Sequence, residues 1–93
     1  MIVVKVVEGT VEVKNKLGLH LRAASTLAQT AARFASTVTV IRAKETVNAR
    51  SVTGLMMLGA ASGTKLKLRA EGPDAEEALK AIQALFANKF GEE

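Results

Sequence analysis

His20 is the only histidine in a chain that has no cysteine, and it follows Gly18-Leu19 with Arg22 two positions further on. A neutral imidazole is a nucleophile that can attack a phosphoryl donor. Downstream, Ala24, Leu27, Ala28, Ala31, Phe34 and Ala35 recur at three- and four-residue spacing, which predicts a helix beginning close to His20. The first amides of a helix lack acceptors within it, and the helix dipole makes that end positive. Arg22 adds a full charge nearby. Such a place favours the neutral imidazole and suits an anion, above all a phosphoryl group. Neither of the two residues before His20 is a Ser, Thr, Asp or Asn that would cap the helix. No carboxylate lies close in sequence to orient His20 as a base, and no serine nucleophile is evident beside it. This chemistry fits a carrier with an exposed, shallow site better than a hydrolase.

The elements that must position this histidine can be read from the pattern of apolar residues. Residues 2–7 are mostly apolar and β-branched, and from Thr10 Val11 and Val13 alternate with Glu12 and Lys14. These make one strand or two collinear pieces, with a bulge or bend expected at Gly9. Thr37 to Arg42 and Glu45 to Arg50 read as a hairpin across Ala43-Lys44, with Val47 and Ala49 facing inward. Ser51 has the chemistry of an N-cap for a short helix through Val52, Leu55, Met56 and Leu58, ended by Gly59. Of Met56 and Met57, one is expected in the core. From Gly63 a second alternation places Leu66 and Leu68 inside and Lys65, Lys67 and Arg69 outside.

Gly72-Pro73-Asp74 is a turn into a third helix. Asp74 and Glu77 suggest a capping box, and Ala75, Ala78, Leu79, Ile82, Leu85 and Phe86 form the buried stripe. Residues from Asn88 to Glu93 are expected to fray. The order is β-α-β-β-α-β-α. An α+β fold follows: a four-stranded, mainly antiparallel sheet covered on one face by three helices, its other face wet.

Composition narrows the function classes. With 93 residues, a single domain over 1–93 is expected. Apolar residues are 48% of the chain, yet no run approaches a membrane span, and no signal peptide is evident. A soluble, cytoplasmic protein with no membrane insertion is therefore expected. Without cysteine and with one histidine, neither a disulfide framework nor a His-rich metal site is available. No metal and no cofactor are expected. The net charge of +4 favours acidic partners. Aromatics are 3%, all Phe, so there is little on which to stack bases, and a small nucleic-acid-binding module is the weaker rival.

Two segments carry a specific resemblance. Asn15-Lys16-Leu17-Gly18-Leu19-His20-Leu21-Arg22-Ala23-Ala24 resembles the active-centre segment of the HPr family, the histidine-containing phosphocarriers of the bacterial phosphotransferase system. Thr46-Val47-Asn48-Ala49-Arg50-Ser51-Val52-Thr53-Gly54-Leu55-Met56-Met57-Leu58-Gly59 resembles its regulatory-serine segment, at the family's spacing. The resemblance implies the HPr-like open-faced sandwich and a relay. Enzyme I, charged from phosphoenolpyruvate, would phosphorylate His20 on Nδ1, and an enzyme IIA domain would take the phosphoryl group onward. Arg22 would assist, the first-helix amides at Leu21, Arg22 and Ala23 would hold phosphoryl oxygens, and Ser51 would be the site of HPr kinase/phosphorylase where that enzyme exists. Docking through the first two helices makes Leu21, Val52, Leu55 and Met56 the candidate apolar contacts. The implied protein is a carrier with a covalent phosphohistidine rather than a free-standing enzyme, and release of successive partners favours a monomer.

This chain departs from the family pattern at Ala23, where proline is usual, at Leu21, where a small residue is usual, and at Thr53, where a bulkier apolar residue is common. A nitrogen-type or regulatory paralogue within the family, its phosphorylation state read by another protein, is the alternative output.

Overall fold

The structure, a computed structural model, describes residues 4–92. Its strands are β1 (Lys5–Glu12), β2 (Thr37–Arg42), β3 (Glu45–Asn48) and β4 (Lys65–Gly72). Its helices are α1 (Leu21–Ala31), α2 (Val52–Met57) and α3 (Ala75–Ala87), and a single 3₁₀ turn, Lys89–Gly91, follows. Every strand pair is antiparallel, in the order β1-β4-β2-β3. The α+β architecture expected from the alternation is therefore the one observed. Ile2 and Val3, expected in the first strand, lie outside the described residues, as does Glu93.

β4 shows why the sheet has one dry face. Its residues alternate strictly, with Leu66, Leu68 and Ala70 buried and Lys65, Lys67 and Arg69 exposed. Beneath them lie Leu27 of α1, Leu55 of α2 and Ile82 and Phe86 of α3, none more than 1% exposed. Truncating any of these large side chains to alanine would cost about 2–5 kcal/mol. β1 runs unbroken through Gly9, paired one for one from Lys5↔Gly72 to Glu12↔Lys65, so the expected bulge is absent. Gly9 faces α3, where a Cβ would displace only the flexible end of the Gln83 side chain, its Nε2 2.6 Å away.

Three local expectations give way to tertiary contacts. α1 stops at Ala31, leaving Phe34 half-buried and Ala35 exposed. Asp74 precedes α3 but makes no side-chain cap. Its carboxylate accepts hydrogen bonds from the Ala35 amide (3.0 Å), the Ser36 amide (2.8 Å) and the Ser36 hydroxyl (2.5 Å). It thereby ties the α1–β2 junction to the start of α3. Neither Met56 nor Met57 enters the core, with 44% and 75% exposure. α2 is only six residues long, and Leu55 together with Leu58 just after it fills the inward side.

Candidate functional site

The segment before α1 is fixed from both sides. Val13 is buried and bonded to the loop before β4, its amide donating to Thr64 O (2.9 Å) and its carbonyl accepting from Gly63 N (2.7 Å). A turn follows, closed by the Gly18 amide donating to Asn15 O (3.1 Å). The buried Asn15 side-chain amide donates to Gly18 O (2.6 Å). Leu19 N donates to Ala60 O (2.9 Å), just after α2. The chain entering His20 is thus held by its own turn and by the exit of the second helix.

His20 is itself the N-cap of α1. Its backbone is extended, its carbonyl accepts from Ala24 N (2.8 Å), and its Nδ1 accepts from Arg22 N (3.3 Å). A cap was not evident in the sequence because imidazole is not among the usual capping side chains. The contact commits Nδ1 as a lone-pair acceptor, aimed at the positive end of α1. The amides of Leu21, Arg22 and Ala23 all belong to that first turn, whose N–H groups precede the first intrahelical acceptor. Arg22's side chain is 74% exposed.

The other ring nitrogen meets a group that the sequence does not place nearby. Nε2 of His20 lies 2.6 Å from Oε2 of Glu92, 72 residues away. Arg22 Nε is 3.7 Å from the same oxygen, and the Asn15 amide donates to the other carboxylate oxygen, Oε1, at 3.0 Å. The Glu92 side chain is only 15% exposed. Its carboxyl is held below the usual glutamate value by the Asn15 hydrogen bond first, then by His20 and Arg22, against burial. Glu92 is therefore ionised at neutral pH. The imidazole thus lies between the positive end of α1 with Arg22 and one carboxylate.

Residues Asn88 to Glu92, expected to fray, are ordered here. Lys89, Phe90 and Gly91 all take positive φ (56°, 56° and 75°), reversing the chain after α3. Phe90 packs edge-on against Phe86, ring centroids 4.8 Å apart, and the turn closes through Gly91 N donating to Asn88 O (3.0 Å). Those contacts carry Glu92 back to α1. The sequence hint was Phe90 itself, an apolar side chain four residues beyond Phe86 and past the helix end. Asn15 was legible only as part of the motif around His20. Its own Oδ1 is buried without a partner.

An open recess lined by Lys16, Leu17, Arg22, Gly91 and Glu92 adjoins His20. Leu17 and Leu21 are 68% and 59% exposed, and with Met56 and Met57 they supply exposed apolar surface on the first two helices and the loop before them. Val52 is half-buried against the core. Leu55 is fully buried, so it cannot offer a contact surface. Within a helix this short, the position one turn after the Ser51 cap points into the core. Leu17 and Met57 add apolar surface beside His20 and α2 that local spacing does not single out. Ser51 caps α2, its Oγ accepting from Gly54 N (3.0 Å). Among the described residues, no group of three or more potential ligands could hold a metal ion, and no helix is long and apolar enough to cross a membrane.

Residues 7–88 match the family model described as the PTS HPr component phosphorylation site. The chain is 46% identical to the phosphocarrier protein HPr of Treponema pallidum, covering 90% of this chain and 96% of that protein. It is 44% identical to the phosphocarrier protein NPr of Shewanella violacea, covering 91% and 93%. The crystal structure of HPr from Thermoanaerobacter tengcongensis superposes with a TM-score of 0.90 at 49% identity, covering 94% of this chain and 98% of that one.

Proposed function

The chain belongs to the PTS HPr family, and from that premise we propose that it carries phosphoryl groups from enzyme I to enzyme IIA domains on Nδ1 of His20. The observation that carries this reading is the His20 cap: Nδ1 accepts from Arg22 N at 3.3 Å, so its lone pair faces the anion-binding end of α1. In the transfer, that lone pair attacks phosphorus, an N–P bond forms, and the donor's bond to phosphorus breaks with its electron pair returning to the donor. Oxygens of the arriving phosphoryl group accept hydrogen bonds from the amides of Leu21, Arg22 and Ala23 and from the exposed Arg22 guanidinium. Because the Nδ1 contact with Arg22 N lies at an exposed position, the phosphoryl group stays reachable by the next acceptor.

The exposed side chains of Leu21, Met56, Met57 and Leu17 would meet the partners, with Val52 at the margin. A positive net charge draws acidic partners to this patch. Phosphorylation of Ser51 by HPr kinase/phosphorylase would add negative charge beside it and oppose docking. The likeness to NPr favours a second output, in which the phosphorylation state is read by a regulatory protein, and the set of acceptors charged separates the two.

Intact mass after incubation with phosphoenolpyruvate and enzyme I tests the proposal. One acid-labile phosphoryl adduct is expected on the wild type and none on His20→Ala. A folded wild type that gains no adduct from an enzyme I active on another carrier would sink it.

A further inference from the structure

The geometry points to Glu92 as a positioning residue for phosphoryl transfer at His20, acting through Nε2 and held in place by Asn15. The inference rests on the phosphocarrier reading and adds to it a residue outside both recognised segments. Three side chains meet Glu92, those of His20, Asn15 and Arg22, the last with its Nε 3.7 Å from Oε2. The Glu92 carboxylate accepts from Nε2 at 2.6 Å, a short distance suited to a charge-assisted bond. Its second oxygen is fixed by Asn15, which is fully buried and anchored in turn to Gly18 O. On the opposite side of the ring, Nδ1 accepts from Arg22 N. Both nitrogens are thus assigned: Nε2 carries the proton and Nδ1 carries the lone pair.

The consequence is electronic as well as geometric. When Nδ1 attacks phosphorus, the ring keeps its Nε2 proton and gains positive charge. A fixed carboxylate at Nε2 stabilises that charge and the orientation of the ring, the role a buried acid plays behind a catalytic histidine. When the phosphoryl group leaves, the bonding pair returns to Nδ1 and the ring becomes neutral again, with the same proton still on Nε2. No proton has to enter or leave in either direction. Glu92 forms no bond to phosphorus in this step and acts through the ring, so its contribution should appear in turnover.

The test is the steady-state rate of phosphoryl acceptance from phosphorylated enzyme I by the wild type, Glu92→Gln and Glu92→Ala, with a ¹⁵N–¹H measurement of the His20 ring in each free protein. The expected result is a kcat at least about tenfold lower in both variants, of the size typical for loss of a group acting on a general acid–base or nucleophilic centre, with KM for the donor unchanged. Glu92→Gln, which keeps a hydrogen-bond acceptor, should retain more activity than Glu92→Ala. In the wild type alone, the Nε2 proton should be shifted downfield and protected from exchange. Unchanged or faster acceptance in Glu92→Ala, even with a lower melting temperature, would reduce Glu92 to a structural strap and overturn the inference while leaving the carrier reading intact. A wild type that accepts nothing would overturn both, and the ring spectrum would then show whether the contact itself exists.

Discussion

Gly18 packs directly against the backbone of Ala60, so closely that a Cβ at Gly18 would lie 2.7 Å from the Ala60 carbonyl oxygen. The same oxygen receives the Leu19 amide at 2.9 Å, and Gly18 has φ +71°. One residue therefore meets two demands, left-handed backbone and an absent side chain, at the point where the exit of α2 fixes the approach to His20. Gly18→Ala must move a backbone that cannot yield cheaply. We expect a loss of at least about 2 kcal/mol, from the left-handed penalty and the clash together, and a melting temperature lower by about 10 °C for a domain of this size. Phosphoryl acceptance should fall as well, because the displaced segment carries His20. A thermal scan showing a change within about 2 °C would mean that the contact is looser than its geometry.

Ser51 separates a structural role from a regulatory one. Its Oγ accepts from Gly54 N, and α2 has only six residues over which to share the loss of a cap. Ser51→Ala should cost about 1 kcal/mol, read by denaturant or thermal unfolding. Ser51→Asp keeps an oxygen for the Gly54 amide and places negative charge at the positive end of α2, so its stability should stay near that of the wild type. If phosphorylation at Ser51 regulates docking, Ser51→Asp should nonetheless accept phosphoryl groups from enzyme I more slowly. Equal acceptance rates for Ser51→Asp and wild type would remove the regulatory reading and leave the cap.

What the sequence disclosed, and what it hid, divides along the range of the interactions involved. The alternation of Leu66 and Leu68 with lysines and arginine is a local signal, and β4 follows it residue for residue. The three- and four-residue spacing of α3 is local too, as is the placement of His20 before α1. Asp74 satisfies the local rule for a cap, yet Ala35 and Ser36, thirty-nine and thirty-eight residues away, compete for its carboxylate and win. Both are amides at a chain junction that would otherwise be short of acceptors. Glu92 is the extreme case: nothing within its own turn announces a partner, and its place depends on Phe90 finding Phe86 and on Asn15 being buried beneath His20. The apolar surface is hidden for a related reason. Periodicity says which residues lie on one face of α2, but six residues are too few to settle which of Leu55, Met56 and Met57 faces inward.

The Asp74 hub makes stability depend on pH in a direction that can be worked out. Hydrogen bonds from the Ser36 hydroxyl and then the Ala35 amide hold the Asp74 carboxyl below the ordinary aspartate value of 3.8, against desolvation. A carboxyl whose folded pKa is depressed binds protons more readily in the unfolded chain. Its contribution is therefore fully present above 3.8 and is lost as pH falls through the lower folded value. Asp74→Asn cannot titrate, and its single carbonyl oxygen replaces two acceptors that now serve three donors. Unfolding of wild type and Asp74→Asn should be compared by urea titration from neutral pH down to about pH 2, below the ordinary aspartate range. The wild type should be more stable by a constant margin at neutral pH, and the margin should shrink as the pH drops below 3.8. A margin that stays constant throughout would show that Asp74 holds Ser36 by shape alone, without its charge.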